Sequence, residues 1–281
     1  MGYRKIKMVM EGETVIEGAG VKLRRLFGFG DTSLTDPFLL LDHFGSADPD
    51  DYMAGFPWHP HRGIETITYM LEGEVEHGDS LGNAGVISDG QVQWMTAGSG
   101  IVHQEMPRRR DGPTRGMQLW ANLPRKHKMT RPRYRDIKAE DMKEYRGAGF
   151  ALKLICGEYG GVKGPAEDIV IKPWYFDVKA EPGAEFELKV RSGDNVLCYV
   201  FEGAGSFEAK KGGALAAGQL AVLEGGDALA VAAGEAGLRF MLMAGEPLKE
   251  PVAWRGPIVM NTEAELKLAF DEYRKGTFIK S

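Results

Sequence analysis

The stretch GFPWHPHRGIETITYMLEG, residues 55–73, places His59 and His61 one residue apart at the head of an alternating apolar run. Alternate residues of a strand face one side, so the two imidazoles project together about 6–7 Å apart, a span that one metal ion bridges. Downstream, TAGSGIVHQEMP repeats the arrangement with His103 and Glu105. If the two strands are neighbours, three imidazoles and one carboxylate converge. Such a nitrogen-rich set suits divalent Fe, Mn, Co, Ni, Cu or Zn and suits Mg or Ca poorly. A fifth candidate, Glu65, shares the parity of His59 and His61 on an unbroken strand, although Arg62-Gly63 is placed to bend it. A bend leaves Glu65 as a supporting carboxylate or a partner of Arg62, and Glu105 ranks above it as the direct ligand.

The elements that must carry these residues are strands. Period-two alternation runs through Glu65–Gly73, Ala184–Val190 and Asn195–Gly203, each closed by turn residues. The one convincing helix is C-terminal, in NTEAELKLAFDEYRKG: Thr262 and Glu265 form a capping box, Leu266, Ala269, Phe270 and Tyr273 line one face, and Gly276 stops it. The chain also repeats itself. TYMLEG (68–73) aligns with CYVFEG (198–203) at an offset of 130, and GQVQWM (90–95) with GQLAVL (218–223) at 128. Two β units of equal size account for 281 residues without long structureless loops. The expected fold is all-β: two tandem jelly-roll type barrels with a short C-terminal helix, the architecture that hides strand edges. Residues 1–135 form the barrel with the metal site and 136–281 the second barrel, ending in the helix, with polar Asp136–Gly149 as connector.

A lone inward histidine is usually a hydrogen-bonded core residue, so the second copy decides. Carried across by the same offsets, His59 and His61 fall on Lys189 and Arg191, and His103 and Glu105 on Val231 and Ala233. The scaffold recurs while all the donors vanish, and no histidine follows His127. A site kept in one barrel and dispensed with in the other has this signature. Phe56, Trp58, Trp94, Met95 and Met106 flank the ligand segments as candidates for an aromatic-accepting mouth, with Gln118 and Trp120 behind them. His43, His77 and His127 read as surface or structural.

Composition narrows the partners. No apolar run reaches the roughly 18 residues needed to cross a bilayer and the N-terminus lacks a signal core, so a soluble cytoplasmic protein, most simply a monomer, is expected. Cys156 and Cys198 are the only cysteines, too few for a disulfide framework. A net charge of −5 disfavours general nucleic-acid binding. The exception is local: Arg108–Arg135 holds ten Lys or Arg against a single Asp.

PFLLLDHFG (37–45), the HPH segment, GQVQWMTAGSGIVHQEMP and the tail from GEPLKEP to RKGTF (245–278) resemble the pirin family, bicupins of the cupin superfamily, over essentially the whole chain. The resemblance implies two β barrels with one metal, usually iron, in the first only, and its ligands fall on His59, His61, His103 and Glu105. In generic cupins the motif HxHxxxE makes its glutamate, here Glu65, the fourth ligand. Pirins of bacterial type are similar to quercetin 2,3-dioxygenases, which implies an aromatic flavonol and dioxygen as substrates; with those substrates Glu105 is expected to serve as ligand and base in turn. Eukaryotic relatives look like regulators instead, and a metal-bearing protein that binds a protein partner through the basic stretch is the alternative.

Overall fold

The computed structural model describes residues 2–209 and 212–280. It is all-β apart from helical turns and the C-terminal helix Glu263–Arg274. Thr262 caps that helix by accepting from Glu265 N, Glu265 answers in the capping box, and Gly276 follows at φ +71°. No helix among the described residues is long and apolar enough to cross a membrane.

The chain forms two compact units: Glu13–Thr32, Phe38–Ala139 and Leu248–Ser281 make one, and Met1–Gly12, Ser33–Pro37 and Glu140–Pro247 the other. The first holds all six histidines and the second has none. A division at residue 135 therefore differs from the compact units at both chain ends. At the start, strand Lys5–Glu11 pairs with Gln219–Glu224. At the end, Val259 N donates to Arg62 O, and Leu266, Ala269 and Phe278 pack in one cluster with Val102.

In the histidine unit a seven-stranded antiparallel sheet runs in the order Arg133–Ile137, Val92–Thr96, Ile64–Glu72, Thr114–Asn122, Phe38–Ser46, Val21–Phe27, Glu13–Glu17. A four-stranded sheet, Phe56–His61, Ile101–Pro107, Val75–Asp79 and Ala84–Ile87, forms the other wall. The chain passes from one sheet to the other at Arg62-Gly63. Gly63 lies at φ +79°, and a Cβ there would stand 1.9 Å from Val259 O, so only glycine fits the corner.

The histidine-free unit is built on a nine-stranded sheet whose long strand Ala228–Gly245 pairs with Asn195–Ser206, Trp174–Ala180 and Glu185–Lys189. Its interior is one apolar cluster that includes Leu154, Phe176, Leu188, Cys198 and Val231. Neither cysteine is in a disulfide and both are buried, with the Cys156 thiol donating to Ala166 O at 3.5 Å.

Register supports the internal repeat. Thr68 pairs with Gln93 in one unit and Cys198 with Ala221 in the other, the offsets of 130 and 128. The histidine strand needs a correction. His59 pairs with His103 and His61 with Ile101, whereas Phe186 pairs with Val231 and Leu188 with Leu229. The counterparts of His59 and His61 are thus Phe186 and Leu188, three residues before Lys189 and Arg191. The cause is length: two residues join His61 to the next strand, and five, Val190–Asp194, join Lys189 to Asn195.

Candidate metal centre

His59 and His61 reach the interior from one edge of the four-stranded sheet, and His103 reaches it from the neighbouring strand directly opposite His59. One nitrogen from each ring lies within 4.8 Å of the others. The rings' hydrogen bonds fix two tautomers. His59 Nδ1 donates to Pro57 O at 2.8 Å and His61 Nδ1 to Pro257 O at 3.0 Å, because a carbonyl only accepts. In the neutral tautomers so oriented each Nε2 is a lone pair, and the two stand 3.1 Å apart. His103 Nε2 is buried without a partner. Burial, helped by the neighbouring imidazoles, holds the pKa of His61 and His103 well below the usual histidine range, so both rings are neutral. Neutral rings with convergent lone pairs repel one another unless a cation lies between them. Two nitrogens each about 2.1 Å from one ion and at right angles are about 3 Å apart, which matches the observed pair. The donor set therefore fits a divalent transition metal, with the Nδ1–H to carbonyl bonds setting ring orientation.

The carboxylates divide. Glu105 is buried but lies outside the 4.8 Å group. Thr68 Oγ1 stands 3.0 Å from its Oε1 and 2.5 Å from Gln118 Oε1, two acceptors that share one hydroxyl proton, and Gln118 Nε2 stands 3.4 Å from its Oε2. Glu65 begins the strand beyond the Gly63 corner, where the parity of Phe56–His61 no longer applies. It accepts from Thr96 Oγ1 at 2.7 Å and is absent from the cavity wall. Burial raises its pKa. It is not the partner of Arg62, which pairs with Glu272 at 2.7 Å, donates to Phe278 O and lies over the Phe278 ring.

A second support is the buried Lys128, whose Nζ donates to Gly63 O at 2.8 Å, Val259 O at 2.9 Å and Asn122 Oδ1. Burial without a carboxylate contact lowers its pKa to about 7. Pro257, Val259 and Lys128 together hold residues 61–63, and none of them was singled out from sequence. Their signal lies in tertiary pairing between segments 65 to 197 residues apart, which no local pattern carries.

His59 and His61 open into a cavity of about 590 Å³. Of the expected wall residues, Phe56, Gln118 and Trp120 line it, and the Trp120 ring lies edge-on to His61 at 5.0 Å. Trp94 and Met95 are buried elsewhere in the unit, Trp58 is 53% exposed, and neither Trp58 nor Met106 is part of the wall. Unanticipated lining residues include Arg25, Asp42, Phe29 and Trp254. Trp120, Trp254 and Phe29 form a run of ring contacts from the interior to the exposed Phe29. His77 is structural: it is buried against the Tyr134 hydroxyl, which also accepts from Gln93 Nε2. In the basic stretch, Arg108 pairs with Glu76, Arg110 with Asp89 and Arg115 with Glu72.

The pirin family model matches residues 20–121, and the model of the pirin C-terminal cupin domain matches 175–279. The chain is 42% identical over 279 residues, 98% of each sequence, to a Pseudomonas aeruginosa protein provisionally named a quercetin 2,3-dioxygenase. It is 41% identical over 280 residues to a pirin-like protein of Caulobacter vibrioides, covering 99% of this chain and 100% of that one. A crystal structure of quercetin 2,3-dioxygenase from Acinetobacter baumannii superposes with a TM-score of 0.91 at 34% identity over 99% of both chains.

Proposed function

The chain belongs to the pirin family, and on that footing we propose that it is a metal-dependent dioxygenase that opens the ring of flavonols such as quercetin with dioxygen. The observation that carries this reading is the set of three convergent imidazoles, two of them, His59 and His61, bonded to carbonyls through Nδ1 and lining a cavity with aromatic walls. His59, His61 and His103, with Glu105 as fourth ligand, hold the ion, which we assign as iron(II).

A bound divalent ion with open positions supplies Lewis acidity and a redox-active centre next to the substrate oxygen. The protein does the rest. Glu105 accepts the proton of the flavonol hydroxyl, and Thr68 and Gln118 hold its two oxygens so that the carboxylate faces the reacting group. Phe56 and Trp120 flank the flat ring system and keep bulk water from the carbanion-like oxyanion. The regulator alternative has less to stand on, since the basic stretch that was to recruit a partner spends Arg108, Arg110 and Arg115 on carboxylates of its own unit.

Anaerobically purified protein loaded with ferrous ion should consume dioxygen when given quercetin. Stoichiometric metal without uptake, whichever divalent ion is loaded, overturns the assignment. Ligand choice is tested separately by metal analysis: Glu105→Ala should lose the ion while Glu65→Ala keeps most of it, and the reverse result would restore the generic cupin arrangement.

A further inference from the structure

The floor of the cavity carries a polar row of which the proposed chemistry uses only Thr68 and Gln118. Across neighbouring strands of the seven-stranded sheet, Gln93 pairs with Thr68, Thr68 with Gln118, Gln118 with Asp42 and Asp42 with Arg25. The flanking rows are largely apolar: Leu40, Trp120 and Thr66 on one side, Phe44, Gly116 and Met70 on the other. Thr68 and Gln118 serve Glu105. Arg25 and Asp42, at the far end, face the same cavity and touch no residue of the imidazole group.

Three strand spacings of about 4.8 Å separate the Thr68 strand from the Arg25 strand, so the row spans about 14 Å. That is the reach of a ligand with two or three linked rings. Arg25 Nε and Nη2 donate to the two oxygens of Asp42 at 2.9 and 2.8 Å, and Nη1 donates to Glu17 at 2.8 Å. A guanidinium has five N–H donors, so two remain, and the Asp42 carboxylate keeps lone pairs beyond those Arg25 uses. One such end can donate to and accept from a single ligand hydroxyl, as a phenol requires.

Sheet stability alone does not demand this placement. The histidine-free unit contains the same trio, Arg239 on Asp177 and Glu202, but Asp177 sits one residue from Phe176 and so on the opposite face of its sheet. On the interior face, the register counterparts of Arg25 and Asp42 are Leu154 and Phe176. An apolar pair closes that interior, and ionic groups inside a barrel carry a desolvation cost that an apolar pair avoids.

We propose that Arg25 and Asp42 are the specificity end of the cavity, selecting aromatic ligands that bear a hydroxyl on the ring remote from the imidazoles. The inference rests on the flavonol reading. Zinc-loaded protein, kept free of dioxygen so that it cannot turn over, is titrated with quercetin and with 3-hydroxyflavone, which lacks hydroxyls on its outer rings, following fluorescence of the lining Trp120 and Trp254. Wild type should bind quercetin about ten-fold tighter, the worth of one net hydrogen bond. The double variant Arg25→Leu with Asp42→Phe, which imports the pair the other unit uses, should bind both compounds within about two-fold of each other. Should that variant fail to fold by circular dichroism, Asp42→Asn should still cut the preference by about three-fold. Binding of both compounds with no preference in wild type, or a preference that survives a folded variant, overturns this inference and leaves the flavonol reading intact. Binding of neither compound by folded zinc protein overturns both.

Discussion

The two units share strand pairings yet fill their interiors in opposite ways. Where one sets His59 against His103, the other sets Phe186 against Val231. Where one runs Arg25, Asp42, Gln118, Thr68 and Gln93 across its sheet, the other runs Leu154, Phe176, Leu242, Cys198 and Ala221, all in a single apolar cluster. One backbone plan thus supports either a packed core or a polar cavity, and inward side chains at matched register decide which. The apolar version marks the ground state of the scaffold: buried, non-directional, needing no hydrogen-bond partners. Each polar residue in the histidine unit is a departure from it that must be balanced by a partner or by a ligand.

The comparison is broken most severely by converting one interior into the other. His59→Phe, His61→Leu and His103→Val together should reduce bound metal from about one ion per chain to under a tenth, since no donor of the trio remains, while circular dichroism stays that of a β protein. Retained metal in the triple variant would place the ion elsewhere. Next in size is the corner peculiar to the histidine unit. Gly63→Ala forces a side chain into a left-handed backbone and against Val259 O, and should cost about 2–4 kcal/mol in urea unfolding. A cost under 0.5 kcal/mol would show that the corner relaxes freely. The smallest effect sharpens the role of Lys128. Its native pKa of about 7 lies below the unfolded value of 10.5, so between the two the unfolded chain binds more protons and stability rises with pH. Below about pH 7 both states are protonated and the slope disappears. Lys128→Met should lack this rise, which amounts to at most about 1.4 kcal/mol per pH unit, in unfolding curves taken at pH 6.5, 7.5 and 8.5. Parallel curves for the two proteins would mean that the ammonium is stabilised as well in the native state as in water.

Much of the architecture was legible in the chain because strand patterns are local. Alternation, the TYMLEG and CYVFEG copies and the Thr262–Glu265 capping box each lie within a few residues, and each appears where expected. The histidine trio was legible because parity and spacing bring it together. What sequence missed depends on tertiary register. Arg25 and Asp42 stand in segments with no catalytic pattern, and only pairing across four strands aligns them with Thr68 and Gln118. Trp94 and Met95 looked as eligible as Phe56 by position along the chain, but they leave the cavity wall to Trp120 and Trp254. The repeat offset failed at His59 and His61 because connections, unlike strands, are free to change length.

The carbonyl that orients His61 belongs to Pro257, 196 residues later in the chain. A chain that stops at residue 256 already holds all three imidazoles, but one of them lacks this carbonyl and its corner lacks Val259 and with it one of the Lys128 acceptors. The ring orientation that this carbonyl sets, and the corner that Val259 closes, therefore exist only in a chain whose residues 257–259 have docked.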